Sequence, residues 1–250
     1  MRYFIQFSYN GTQYHGWQIQ PQARSVQQTL THALNTLLSE KFEITGAGRT
    51  DSGVHAQMMY AHFDYERALP ENLVHKLNSF LPKDIAVQKV LAVRDEAHAR
   101  FDATARTYQY HIHQQKNVFL DGLSWFYGKE LHVDAMNAAA QLLLAHTDFE
   151  CFSKVHTEVY TFDCAISEAY WTVHEDRLTF TITANRFLRN MVRAIVGTLL
   201  EVGRNQMSLA EFQQVLDSKN RSEAGVSVPA HGLYLTNIVY PYVSLHQDIE

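Results

Sequence analysis

The chain has 250 residues, 46% of them hydrophobic and 19% charged, the balance of a soluble globular protein with room for one large domain or two small ones. No apolar run approaches the about 20 residues that cross a bilayer, and the N-terminus alternates from Tyr3 onward instead of forming a signal-peptide core, so a membrane partner is excluded and a cytoplasmic protein is expected. Two cysteines, Cys151 and Cys164, exclude a disulfide framework and a four-thiolate zinc site, while a formal charge of −5 disfavours nucleic acid only on average, since arginines can gather locally.

In chain order, Tyr3 to Tyr9 alternates as a strand, Asn10-Gly11-Thr12 turns, and Tyr14 to Gln20 forms a polar and aromatic loop around Trp17. Ser25 with Gln28 predicts a capping box opening a helix whose buried face is Val26, Leu30, Ala33, Leu34 and Leu37. Extended segments at Phe42 and Ile44 and at Met58, Tyr60 and His62 flank a glycine-rich loop. Leu69-Pro70-Glu71 predicts a second helix start, with Leu73, Leu77 and Phe80 facing inward, and Ile85 to Val93 another strand.

The same order recurs. Arg106 to His113 reads as a strand, Asp134 as the cap of a helix reaching Leu144, and Cys164 to Glu175 with Arg177 to Ala184 as a hairpin. Phe187 to Val202 predicts a long helix ending at Gly203, Ser208 with Glu211 caps a shorter one, and Leu233 to Tyr240 is a last strand. The pattern predicts an α+β fold of two ferredoxin-like, split βαβ halves with antiparallel sheets lining a central cleft. The boundary falls between Arg94 and Ala105, giving an N-terminal domain, 1–100, that carries the glycine-rich loop and a C-terminal domain, 101–250.

That loop, Thr45 to Ala56, concentrates chemistry that folding does not require. Gly46, Gly48 and Gly53 suit a segment that holds Arg49 and Asp51 against a ligand between two rigid elements. A glycine-rich hairpin with a surface ion pair fits the same residues; a phosphate-cradling loop fits poorly, because no Lys followed by Ser or Thr closes the pattern. Arg186, Arg189 and Arg193, three and four apart on an otherwise apolar helix, would share one face, either as a solvent stripe or as partners of a carboxylate or phosphate. Tyr108 and Tyr110 share a strand face, as core or as flat rings for an extruded base. His111 and His113 have no third ligand at a telling spacing, so no metal is expected, and His55 reads as a structural part of the loop.

Gly48-Arg49-Thr50-Asp51-Ser52-Gly53-Val54-His55-Ala56 resembles the active-site loop of the tRNA pseudouridine synthase A family, enzymes that isomerise uridine in the anticodon arm of tRNA. The resemblance runs along nearly the whole chain, through Tyr9-Asn10-Gly11-Thr12 with Gly16-Trp17-Gln18, Ala99-Arg100-Phe101 with Arg106-Thr107-Tyr108-Gln109-Tyr110, Met191-Val192-Arg193-Ala194-Ile195-Val196-Gly197, and Gly232-Leu233-Tyr234-Leu235. It implies that Asp51 is the catalytic carboxylate and that Arg193 pairs with it. It further implies that Tyr108 packs on the target uracil, that Leu233 lines the opposite side, and that Arg49 fills the gap left by the flipped nucleotide or grips its phosphate. Arg24, Arg100, Arg189 and Arg204 are expected contacts to the tRNA backbone. A homodimer and uridines 38, 39 and 40 as targets follow from the same resemblance.

The implied reaction breaks the bond from C1′ to N1, turns the uracil and joins C1′ to C5, so it needs no cofactor. One carboxylate serves, as nucleophile on C1′ or as base at C2′. A non-catalytic RNA-binding protein and a hydrolase releasing free uracil are the alternatives, although a hydrolase usually needs a second carboxylate near the first. Three stretches depart from the family pattern: Asn10 in place of a commoner Asp, Ser52 in place of Ala, and Phe162-Asp163-Cys164 where a basic residue is expected. The third predicts weaker or more salt-sensitive tRNA binding.

Overall fold

Both faces of the first strand are buried, and this organises the N-terminal part of the chain. The computed structural model describes residues 1–154 and 160–243, which form two mixed α/β units with mostly antiparallel sheets: Met1–Thr104 with the stretch from Leu235, and Ala105–Tyr234. The first unit runs β1 (Arg2–Tyr9), α1 (Val26–Leu38), β2 (Thr45–Gly46), β3 (His55–Asp64), α2 (Leu73–Phe80) and β4 (Ile85–Val93). β1 lies between β3 and β4, antiparallel to both. Its neighbours Phe4 and Ile5 point to opposite faces, yet neither is exposed. On the Phe4 side the cover is aromatic, with the Tyr240 ring packed edge-on at 5.1 Å. β3 carries one extra residue against β1, for Phe7 faces Met59 but Tyr9 faces Ala56, a bulge of the kind that re-aims side chains beside a site.

Helix α1 starts at the predicted cap, with the Gln28 N–H donating to the Ser25 hydroxyl at 3.2 Å, but this is a simple N-cap without the return bond of a capping box; its buried face ends on Leu38, not Leu37. Three expectations need correction. The second helix begins at Leu73, because Pro70 closes a preceding turn by accepting the Leu73 N–H at 2.9 Å. Phe80, on its last turn, is 45% exposed and does not face inward. Phe42 and Ile44 lie outside the two-residue β2, since side-chain amides take their backbone groups: the Phe42 N–H donates to Asn35 Oδ1 at 3.2 Å and Gln27 Nε2 donates to the Ile44 carbonyl at 2.8 Å.

His62 on β3 gives this unit an acid limit. The ring is 7% exposed, its Nδ1 accepts the Ala99 N–H at 3.2 Å, and burial, then the charges of Arg2 and His98, lower its pKa from 6.5 to about 4. An unfolded chain takes up this proton near 6.5 and the folded one only near 4, so the contribution is complete above pH 6.5 and is lost as the pH falls through 4. It amounts to about 3 kcal/mol. Urea midpoints measured from pH 6.5 down to 4 are expected to fall more steeply for the wild type than for His62→Asn.

The second unit contains β5 (Ala105–His113), β6 (Trp125–Phe126), α3 (Val133–Leu142), β7 (Ile166–His174), β8 (Arg177–Ala184), α4 (Met191–Gly203) and α5 (Leu209–Ser218); β9 (Leu233–Val239) begins here and belongs to the first unit from Leu235. β8 pairs antiparallel with β5 and β7, and β6 runs parallel to β5. The β7–β8 hairpin turns at Glu175, whose φ is +56°. Ser208 and Glu211 form the predicted capping box of α5. Asp134 does not cap α3; His132 holds that position and Asp134 sits in the first turn, where a carboxylate suits the helix dipole. Likewise α4 begins at Met191 instead of Phe187, because Asn190 adopts a left-handed φ of +66° that no helix can extend through. Arg186 and Arg189 therefore precede the helix, and the expected face shared with Arg193 does not form.

Candidate active site

The loop between β2 and β3 is clamped from outside by the last residue of β1 and the segment that follows it. The Tyr9 hydroxyl is hydrogen-bonded to Thr50 Oγ1 at 2.8 Å, the Trp17 N–H donates to the Thr50 carbonyl at 3.4 Å, and the Gly53 N–H and Ser52 hydroxyl both donate to the Tyr14 carbonyl, at 3.2 and 3.3 Å. Within the loop the Val54 N–H closes on the Asp51 carbonyl at 3.2 Å. Asp51 is thus fixed on both sides through its neighbours, half-exposed, with Arg49 exposed beside it. Two glycines make the clamp fit. A Cβ on Gly11 would lie 2.0 Å from the Val54 carbonyl oxygen, and one on Gly16, where φ is +82°, 2.2 Å from that of Thr50. Gly48 is different, because a Cβ there would meet nothing within 4 Å. The fold itself therefore leaves room at Gly48.

His55 has the structural role expected of it, and the geometry shows which one. It is 1% exposed and its Nδ1 accepts the Gly11 N–H at 3.0 Å, tying β3 to the turn after β1. His55→Ala leaves that buried N–H without its acceptor and is expected to lower stability by about 1–3 kcal/mol. His55→Asn, whose Oδ1 takes the place of Nδ1, should recover most of the loss in a urea titration.

Each remaining predicted residue is placed within its own unit. In the second, Tyr110 is fully buried and donates its hydroxyl to the Pro229 carbonyl at 2.8 Å, whereas Tyr108 is half-exposed with Phe187 edge-on at 5.2 Å. Of the two tyrosines, Tyr110 is core and Tyr108 keeps a face outside it. Arg193 Nε donates to the Val228 carbonyl at 2.7 Å, and Leu233, 6% exposed, opens β9. Arg204 donates to the Leu200 carbonyl at 3.2 Å and pairs with Glu201 at 2.6 Å, so it finishes α4 before it can do anything else. Arg189 is exposed. In the first unit, the Arg24 guanidinium lies 4.7 Å from the Tyr14 ring centroid and donates to its hydroxyl at 3.1 Å, while that hydroxyl donates to Asp84 at 2.6 Å. Arg100 packs over Phe101 at 5.5 Å.

His111 and His113 each face a hydroxyl, of Thr179 and Ser124, both at 3.1 Å. Cys151 and Cys164 are buried free thiols, pushed by burial up to about 12 and about 11. The departures Asn10 and Ser52 both have work: Asn10 Oδ1 accepts from the Thr12 N–H and hydroxyl, and Ser52 joins the clamp.

Missing from the residues picked out by pattern are Tyr9, Tyr14, Gly16 and Trp17, which hold the Asp51 loop. Tyr9, Gly16 and Trp17 stand in segments that resemble the family, and Tyr9 ends an alternating strand, but nothing in those segments points to the loop 34 residues on that they hold.

A family model described as tRNA pseudouridine synthase matches residues 5–102 and 139–241. Proteins named tRNA pseudouridine synthase A are similar over almost their whole length: that of Parabacteroides distasonis is 51% identical over 242 residues, covering 96% of each chain, and that of Bacteroides fragilis 52% over 244 residues, again 96% of each. The Bacillus subtilis protein is 40% identical over 245 residues, 96% of this chain and 99% of its own. With the glycine-clamped Asp51 loop inside the matched region and the likeness running nearly end to end, the chain belongs to the tRNA pseudouridine synthase family, a family of isomerases.

Proposed function

We propose that this enzyme converts uridine to pseudouridine at positions 38, 39 and 40 of the anticodon stem-loop of tRNA, with Asp51 as the catalytic carboxylate. The observation that carries the reading is the clamp: a half-exposed carboxylate is held between Thr50 and Ser52, each bound to the segment from Tyr9 to Trp17. Such pre-organisation is what attack on C1′, or removal of the C2′ proton, requires of a single carboxylate. Arg193 is assigned as its counter-ion, Tyr108 as the ring that packs on the uracil, Leu233 as the opposite wall, and Arg49 as the side chain that fills the vacated stack or holds the phosphate. Arg24, Arg100 and Arg189 are proposed as backbone contacts, and Arg204 as a weaker one because Glu201 already holds it. The two units are proposed as split βαβ halves, and the working form as a cytoplasmic homodimer.

An unmodified tRNA transcript with uridine at 38, 39 and 40 tests the reading. Carbodiimide labelling is expected to map new pseudouridine to those positions with no free uracil released. Conversion confined to another arm would overturn the site assignment, and free uracil would overturn isomerisation. Gly48 gives a finer check. The fold leaves space at its Cα, so Gly48→Ala is expected to melt like the wild type yet to raise the KM for tRNA several-fold if the RNA backbone needs that space.

A further inference from the structure

The turn after β1 is bolted to the start of β4 at two points, and one of them is a buried phenol. Asp84, the residue before β4, accepts the Asn10 N–H on its carbonyl at 2.9 Å and the Tyr14 hydroxyl on its carboxylate at 2.6 Å. The Arg24 guanidinium donates to the same hydroxyl at 3.1 Å, so the phenol oxygen is engaged both as donor and as acceptor. Tyr14 is 2% exposed. Burial, then the bond to Asp84, push its phenol well above the ordinary tyrosine pKa, which keeps the proton in place for donation. Phenylalanine would fill this space without an oxygen to satisfy, so the hydroxyl is unaccounted for by packing.

The segment fixed in this way is the one that holds the Asp51 loop. Between the two anchors, Gly11 donates its N–H to His55 at 3.0 Å. At the second anchor, the Tyr14 carbonyl accepts from the Gly53 N–H at 3.2 Å and from the Ser52 hydroxyl at 3.3 Å. One residue therefore joins Asp84 through its side chain and the neighbours of Asp51 through its backbone. We propose that Tyr14 and Asp84 are positioning residues for the isomerisation: the bond between them fixes the Tyr14 carbonyl, and through Ser52 and Gly53 that carbonyl sets where the Asp51 carboxylate stands. The proposal rests on the reading that Asp51 is the catalytic carboxylate.

The backbone on either side of Tyr14 is also tied, since its own N–H donates to the Gly11 carbonyl at 2.9 Å and the His15 N–H to the Arg24 carbonyl at 2.9 Å. Releasing the phenol therefore lets the carbonyl tilt without letting it swing away. A misplacement of about 1 Å costs on the order of a hundredfold in rate, so a partial release costs about tenfold. A role limited to stability would lower the urea midpoint and leave the rate per folded molecule unchanged. Asn78 on α2 supplies that comparison, because its side-chain amide takes the Val87 N–H at 2.7 Å and the Val87 carbonyl at 2.8 Å, on the same strand that Asp84 precedes.

The test measures kcat and KM on an unmodified tRNA transcript for the full chain and its variants, with a urea titration of each. Tyr14→Phe and Asp84→Ala are each expected to lower kcat about tenfold, with KM within about twofold of the wild type. The double variant should turn over about as fast as either single one, since both remove the same bond. Asp84→Asn keeps an oxygen for the hydroxyl and should recover most of the rate, and Asn78→Ala should unfold at lower urea with kcat unchanged. A wild-type kcat in Tyr14→Phe would overturn the proposal. So would a rise in KM at unchanged kcat, which makes the pair a substrate contact, or an equal loss of kcat in Asn78→Ala, which makes the effect one of stability. If Asp84→Ala fails to fold, Tyr14→Phe, which removes a single oxygen, still decides. A wild type that forms no pseudouridine, or an Asp51→Asn variant that still does, would overturn the catalytic reading and this proposal with it. An inactive Asp51→Asn beside a Tyr14→Phe at the wild-type rate would overturn this proposal alone.

Discussion

Asp51→Asn is expected to abolish pseudouridine formation, by about four orders of magnitude or more, while tRNA binding stays within a few-fold of the wild type. Asparagine has the shape of aspartate but can neither attack C1′ nor remove a proton from C2′. The loop should not move, because what fixes it is Thr50 bonded to Tyr9 and Trp17, Ser52 and Gly53 bonded to the Tyr14 carbonyl, and the Asp51 carbonyl bonded to the Val54 N–H. Single-turnover assays on an unmodified transcript, run beside a thermal melt, separate loss of chemistry from loss of fold. Conversion by Asp51→Asn at even a few per cent of the wild-type rate would move the chemistry to another group.

Gly16→Ala is the second large effect, and it works at a distance from the reacting atoms. The position has a φ of +82°, and a methyl group would lie 2.2 Å from the Thr50 carbonyl oxygen and 3.1 Å from the Asp51 carbonyl carbon. Neither neighbour is a flexible side chain, so the backbone of one segment has to shift. Left-handed strain and overpacking together amount to about 2–5 kcal/mol of lost stability. A displacement of Asp51 by about 1 Å lowers turnover on the order of a hundredfold even where the variant remains folded. Urea titration and kcat measured at low temperature would read the two losses separately. Gly48→Ala is the control within the same loop: it has the same change in chain flexibility but no neighbour to displace. If both variants melted and turned over alike, the clamp would not be what positions Asp51.

The contrast between those two glycines also marks how much of the molecule was legible in the chain. Gly48 through Gly53 drew attention because an Arg and an Asp stand among glycines, a local density that any window of ten residues reveals. The strands β1, β4 and β5, the α1 face and the α5 capping box follow from alternation and helical spacing for the same reason. What escaped is set by contacts between positions far apart. Nothing near Gly16 announces Thr50, 34 residues on. Asn35 and Gln27 take the backbone groups of Phe42 and Ile44 and so delay the start of β2, and a single left-handed Asn190 moves the start of α4 by four residues. That shift dissolved the arginine stripe, although Arg193 itself stayed on the helix. The family resemblance named candidate site residues that periodicity did not, but the clamp that seats Asp51 became visible only in three dimensions.

The bulge in β3 has a consequence for how this region can change length. Ala56 and Met59 are three residues apart but face Tyr9 and Phe7, only two apart, so the strand between them holds one residue more than its neighbour. Deleting Gln57 or Met58 would restore a regular ladder and make the strand itself more ideal. It would also leave both flanks in register, with Ala56 still opposite Tyr9 and Met59 opposite Phe7, so that His55 keeps its place beside Gly11. The bulge can therefore absorb the loss of one residue, whereas a deletion elsewhere in β3 would shift the pairing between its flanks and turn side chains to the opposite face.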